Sequence, residues 1–212
     1  MDWPERLGRV GGVDLWRMAI DLPEERLAAH RATLSAAERE RAGRLRRPEV
    51  QGRFVAARAG LRFVVAGYLG VAPAAVAIAE GPRGKPEVAG DLRFSVSHSA
   101  GLALYAVVRG RETGVDVERL RPVSHADRIA QQWFCEEERR TYLAGRTAAP
   151  ELAFFGMWTR REAYLKAVGI GLVGSGAREP IDLARWEVHE LAPAQGYVGA
   201  LVVERARPGG PR

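Results

Sequence analysis

The chain has 212 residues, with 32 Lys plus Arg against 26 Asp plus Glu and a formal net charge of +6. At 47% hydrophobic and 27% charged it has the balance of a folded globular chain, not a disordered one. No apolar run approaches the ~20 residues of a membrane span. The lone cysteine, Cys135, excludes an intrachain disulfide and a cysteine-cluster zinc site. With no signal-peptide core in MDWPERLGRV, the expected setting is a reducing cytoplasm. The basic balance suits an anionic partner (phosphate, nucleic acid or an acidic protein) without choosing among them. Only two basic residues are lysine, Lys85 and Lys166; the other 30 are arginine. Lysine is a compact point charge and arginine a planar fork, so these two positions merit attention first.

In chain order, Val13 to Ile20 reads as a first strand, and Pro23-Glu24 opens a short helix. Ser35 with Glu38 three residues on forms a capping box for a helix to about Arg46. Pro48 starts another, with apolar residues at helical spacing to about Gly67. Val76 to Ala79 suggests a short strand, and GPRGKP a turn. Three β-rich runs follow, LRFSVSH, LALYAVV and TGVDVE, the last two joined by a hairpin-like RGRE. Helices are expected over His125–Phe134, Glu136–Ala144 and Pro150–Val168. A Gly-rich loop, GIGLVGSG, then leads to two strands, ARWEVHEL and GYVGALVVE, and a disordered tail. Helices followed by strands, twice, favour an α+β protein of two lobes joined near Thr113. No internal repeat is evident in the sequence.

Asp116 and Glu118, two apart in a strand, face one side, with Val115 and Val117 on the other. Paired carboxylates repel unless something positive lies between them, and a divalent cation with oxygen ligands meets that need. A solvated strand face with Arg119 and Arg121 as counter-charges explains the pair equally simply. Glu162 falls on a helical stripe with Phe155, Trp158, Leu165 and Gly169. A carboxylate there is costly unless paired or metal-bound. An i,i+4 pair with Lys166 is the plain alternative. Ser97-His98-Ser99 ends a strand and suits a phosphate contact or a strand cap. His30, His125 and His189 lack metal-ligand spacing and are expected at the surface. Gly84-Lys85-Pro86 is a tight turn without the P-loop pattern. The arginines of ERERAGRLRR and GRFVAAR suit phosphate clamps or solvated helix faces.

Taken in order, GKP (84–86), FSVSHS (94–99), GVDVE (114–118), W-F-x-x-x-E (133–138) and WTRREAYLKAVGIGL (158–172) resemble the 4′-phosphopantetheinyl transferases, of the two-lobed type that activates peptide and polyketide synthases. GYVGALVV resembles the closing strand of that family. The resemblance is firm over 81 to 172 and weaker from about Ser35 to Val203. It implies two similar α/β lobes related by a pseudo-twofold, with the active site in the cleft. The expected lobes are 1–113, contacting the coenzyme A adenine and 3′-phosphate, and 114–203, carrying the metal and catalytic residues, with a tail at 204–212. The implied reaction moves the phosphopantetheine arm of coenzyme A to a carrier-protein serine and releases adenosine 3′,5′-bisphosphate. By position, Asp116, Glu118 and Glu162 would hold magnesium, Glu162 acting as base directly or through water. Lys166 would neutralise the pyrophosphate, and His98 and Ser97 would contact phosphates. Gly84, Lys85 and Pro86 would line the adenine side, and Arg53, with Arg41 aligned more loosely, would grip the 3′-phosphate. Two positions depart from the pattern: Arg161 stands where lysine is common, and Ser95 where asparagine is.

The expected partners are coenzyme A and a carrier protein, with no nucleic acid or membrane, and the protein is expected to be a monomer. A non-catalytic coenzyme A or nucleotide sensor is the competing reading, opposed by the complete Asp116, Glu118, Glu162 and Lys166 set. A basic nucleic-acid module is another, opposed by the lack of a recognised motif.

Overall fold

A computed structural model describes residues 3–81, 84–170 and 178–206. Nine strands and six α-helices lie among these residues. The chain opens on a hairpin, β1 (Glu5–Val10) and β2 (Val13–Ala19). Gly11 and Gly12, at φ +56° and +78°, make its two-residue turn. Two successive positive φ values match the twist of paired strands and admit glycine without strain. β1 lies outside the strands that the sequence pattern predicts. Its residues, ERLGRV, are largely solvated and show no clean alternation, as suits a charged edge strand.

Three helices follow: α1 (Glu24–Thr33), α2 (Ala36–Gly43) and α3 (Pro48–Leu69). The α2 capping box forms as expected, with Ser35 N donating to Glu38 Oε2 at 2.8 Å and Glu38 N to Ser35 Oγ at 3.3 Å. Helix α3 ends on Gly70 at φ +67°. The strand expected at 76–79 is instead a 3-10 turn (Pro73–Ala75) leading to β3 (Ala79–Glu80), which pairs with β4 (Pro86–Glu87) across the GPRGKP turn. Positions 82 and 83 of that turn lie outside the described residues.

β5 (Leu92–Ser99) and β6 (Leu102–Arg109) form a tight hairpin through Ala100-Gly101. The link RGRE after β6 is not a hairpin. β7 (Thr113–Arg119) leaves the first sheet, ordered β1-β2-β6-β5, and enters a second, ordered β7-β9-β8. Helices α4 (Ala126–Trp133), α5 (Glu136–Gly145) and α6 (Pro150–Val168) lead to β8 (Trp186–Leu191) and β9 (Tyr197–Glu204). Most of the Gly-rich loop (171–177), Leu172 included, and the tail from 207 lie outside the described residues.

β6 is buried on both faces, which explains its unbroken apolar run. Ala103, Tyr105 and Val107 meet α3, while Leu102, Leu104, Ala106 and Val108 meet Val115 and Val117 of β7 and Leu201 and Val203 of β9. An apolar layer therefore joins the two sheets. The aromatic cluster of Phe134, Tyr142, Phe154 and Phe155 packs α4, α5 and α6 together.

Among the described residues two arginines are wholly buried, each on a capping-box glutamate. Arg62 Nε donates to Glu38 Oε2 at 2.6 Å, and Arg161 Nη2 to Glu138 Oε2 at 2.5 Å. Glu38 caps α2 and Glu138 caps α5, so each carboxylate orders one helix end and neutralises the next helix. His30, expected at the surface, is buried and stacked on Trp3 at 4.3 Å. His189 is half-buried, with Nε2 3.5 Å from Glu187 Oε2, and His125 is exposed.

Candidate active site

Gly114 decides how close α6 comes to β7. A Cβ at 114 would overlap the Ala163 carbonyl and the Ala167 backbone nitrogen. Without one, α6 lies directly against β7. Glu162 and Lys166, one turn apart in α6, then lie at the strand's polar face. As alternation requires, Val115 and Val117 point into the core and Asp116 points the other way.

Asp116 is 5% exposed. Its Oδ1 accepts from Lys166 Nζ at 2.7 Å and from Ser97 Oγ at 2.6 Å. Lys166 also donates to the Val115 carbonyl at 3.2 Å. The other oxygen, Oδ2, is buried with no hydrogen-bond partner. Burial pushes the Asp116 carboxyl above its ordinary value, with Lys166 and Ser97 opposing. Glu162 is also raised, first by burial and then by the charge of Asp116, with Glu118 adding to it and Lys166 opposing. Lys166 therefore pairs with Asp116 across the strand; no Glu162–Lys166 ion pair forms along the helix among the described contacts.

β5 runs beside β7 without joining its sheet. Its alternate serines bridge the gap instead. Ser95 Oγ accepts from Val115 N at 3.0 Å, Ser97 holds Asp116, and Ser99 Oγ donates to Glu118 Oε2 at 2.6 Å while accepting from Arg119 N at 3.2 Å. Arg121 Nη1 also donates to Glu118 Oε2, at 3.0 Å, and its guanidinium lies 4.8 Å from the Phe155 ring centre. His98, between the serines in sequence, points away from them and opens to solvent. The surrounding protein, then the Lys166 ammonium, hold its imidazole below the ordinary value.

A cavity of about 250 Å³ is lined by Gly84, Lys85, Pro86, Phe94, Leu165 and Lys166 among others. The GKP turn, the end of α6 and β5 thus meet at one place. Lys85 itself donates to Glu112 Oε2 at 3.0 Å and to the Thr113 carbonyl at 3.2 Å, which ties the turn to the start of β7. Arg53 pairs with Asp21, Nε to Oδ1 at 2.5 Å, close enough to His98 for its charge to be felt there. Arg41 instead lies over the Phe54 ring at 5.4 Å.

Among the described residues no group of three or more His, Cys, Asp or Glu side chains converges on a metal-ion position. The donor chemistry nonetheless suits a hard divalent cation: Asp116 has a buried oxygen without a partner, and burial and neighbouring carboxylates raise the proton affinity of Asp116 and Glu162. Ser95 and Ser99 stand at alternate positions of S-V-S-H-S, a period-2 signal that a strand turns to one face, but their bonds to Val115, Glu118 and Arg119 leave no local signal. Glu112 carries no local signal, and Glu138, though part of W-F-x-x-x-E, shows nothing of its pairing with Arg161, because these partners are distant in the chain.

The sequence is similar to known proteins. The pattern of the 4′-phosphopantetheinyl transferase superfamily matches residues 112–206. The 4′-phosphopantetheinyl transferase HetI of a Nostoc species is 39% identical over 207 residues, covering 90% of this chain and 87% of the relative. A phosphopantetheinyl transferase of a Thraustochytrium species is 30% identical over 178 residues, 76% of this chain and 62% of its own. The transferase gsp of Aneurinibacillus migulanus is 34% identical over 89 residues, 42% of this chain and 36% of its own. The chain belongs to the 4′-phosphopantetheinyl transferase family and is an enzyme of that family. No helix among the described residues is long and apolar enough to cross a membrane.

Proposed function

We propose that this enzyme transfers the phosphopantetheine arm of coenzyme A to a serine of an apo acyl or peptidyl carrier protein, with magnesium, releasing adenosine 3′,5′-bisphosphate. The observation that carries the reading is Asp116, a buried carboxylate with one oxygen on Lys166 and the other unpartnered, beside Glu162 and Glu118. Asp116, Glu118 and Glu162 would hold the cation. When bound, magnesium would neutralise charge on the pyrophosphate and make the adenosine bisphosphate a better leaving group.

The chain's own residues account for the rest. Glu162, half-buried with its proton affinity raised, is the base for the carrier serine hydroxyl, directly or through one water. The serine oxygen bonds to the phosphorus bearing pantetheine as the bridging oxygen–phosphorus bond breaks, and the hydroxyl proton goes to Glu162. Lys166 Nζ offsets charge on the departing phosphate. His98 is neutral near pH 7 because its proton affinity is lowered, so it meets a phosphate as a hydrogen-bonding group. Ser97 reaches the phosphates only by sharing the hydroxyl that now holds Asp116. Gly84, Lys85 and Pro86 wall the adenine. Arg53 grips the 3′-phosphate once released from Asp21, with Arg41 further out. Positioning and charge stabilisation suffice for such a transfer.

Residues 1–113 and 114–203 form the two lobes of this reading, related by a pseudo-twofold, with 204–212 as a tail. The two buried glutamate–arginine pairs at matching places in each half support it. The protein acts as a cytoplasmic monomer, and its +6 charge steers usually acidic carriers towards it, those of peptide and polyketide synthases first. The test is an intact-mass assay with coenzyme A, magnesium and a panel of apo carriers. The expected result is a gain of one phosphopantetheine arm, lost without magnesium. No gain on any carrier overturns the reading.

A further inference from the structure

Asp116 and Glu118 are held in the same way. At Asp116, Ser97 and Lys166 both bind Oδ1, and Oδ2 has no partner. At Glu118, Ser99 and Arg121 both bind Oε2, and no bond to Oε1 occurs among the described residues. In each case one serine of β5 and one cationic side chain occupy a single carboxylate oxygen.

Ser99 is the more constrained of the two serines. Its oxygen accepts from the Arg119 backbone N–H while its proton points at Glu118 Oε2. The Arg119 amide belongs to β7 and cannot swing, which fixes the rotor. The hydroxyl in turn fixes the Glu118 side chain, one of whose torsions is broad and costs little to turn. The end of β5, set by the tight turn at Ala100-Gly101, thus determines which oxygen Glu118 presents to the cleft.

We infer that Ser99 is a positioning residue for the metal site, committing Glu118 Oε2 so that Oε1 faces the cation. The inference rests on the proposed role of Asp116, Glu118 and Glu162 in holding that cation. Residues that orient a ligand in this way are worth 10- to 100-fold in metal affinity, roughly. Ser99 lies at a partly exposed strand end, so its loss leaves the core intact.

The test measures Mn²⁺ binding directly, by paramagnetic relaxation or calorimetry, on the wild-type chain and on Ser99→Ala, Ser99→Cys and Ser99→Thr. Ser99→Ala and Ser99→Cys are expected to bind Mn²⁺ about 10-fold more weakly, with melting temperature in the absence of metal unchanged. Ser99→Thr, which keeps the hydroxyl, restores the affinity. In transfer assays the loss falls on the metal concentration needed for half-maximal rate, while KM for the carrier stays put. Wild-type affinity in both Ser99→Ala and Ser99→Cys overturns the inference. Absence of Mn²⁺ binding by the wild-type chain overturns the metal site itself, so the two failures are told apart.

Discussion

Asp14 and Asp116 are equally buried, at 6% and 5% exposed, yet the protein treats them in opposite ways. Asp14, on β2, accepts from Arg6 at 2.5 Å, from Arg9 at 2.9 and 3.1 Å, and from the Tyr68 hydroxyl at 2.8 Å. Burial works to raise its proton affinity, but these donors outweigh it and bring the carboxyl down to about 2. Asp116, on β7, receives only Lys166 and Ser97, both on one oxygen, and burial wins. A satisfied buried carboxylate stabilises the fold. An under-satisfied one costs stability and is kept where a ligand completes it. The difference separates a structural corner from a reaction centre.

The sharpest way to break this comparison is at the cleft. Glu162→Gln should cut transfer by about 10²- to 10⁴-fold or more while the melting temperature holds, because it removes the base and weakens the hold on the cation. Near-full activity in the mass assay would remove Glu162 from its role. Arg161→Ala should next cost about 3–5 kcal/mol in denaturant unfolding, because it strands the buried Glu138 charge. Arg161 lies wholly inside the fold on Glu138, so its first effect should be on stability; normal stability with lost turnover would assign it to the chemistry instead.

Asp14→Asn should follow, losing about 2 kcal/mol with transfer retained. The sign is set by the lowered value. Asp14 contributes fully above its ordinary value of 3.8, and the contribution fades as pH falls towards about 2. The wild-type advantage over Asp14→Asn should therefore shrink in acid; a constant gap would break the assignment. The smallest effect is expected for the stability of Asp116→Asn. Its raised proton affinity means the ionised form is a burden at neutral pH, so the variant should match wild type within about 1 kcal/mol or exceed it, with transfer lost. Destabilisation as large as that of Asp14→Asn would erase the contrast.

Lys166→Arg tests whether lysine is kept at this position for its chemistry. Lys166 serves two acceptors on one strand, Asp116 Oδ1 and the Val115 carbonyl. A planar fork does not fit that pair of acceptors and a phosphate together, so a marked fall in rate is expected; unchanged turnover would reduce the scarcity of lysine to codon drift.

Much of this molecule follows from local pattern. The capping box at Ser35, the amphipathic α3, the alternation in β7 and the order of motifs from Gly84 to Glu162 all depend on residues close in sequence, where period and turn chemistry are enough. The same holds for the family. Tertiary structure alone decided the rest. It sent β7 into a second sheet rather than a hairpin with β6, because the apolar faces of β6 and β7 bury each other across the layer between them. It added β1, whose polar residues carry no strand period. It gave Lys166 to Asp116 rather than to Glu162, since Gly114 lets α6 lie on β7. It set Ser97 and Ser99 of β5 against the Asp116 and Glu118 carboxylates. Each of these depends on which surfaces meet, and a pairing between residues 19 or 50 apart leaves no trace in either residue's neighbours.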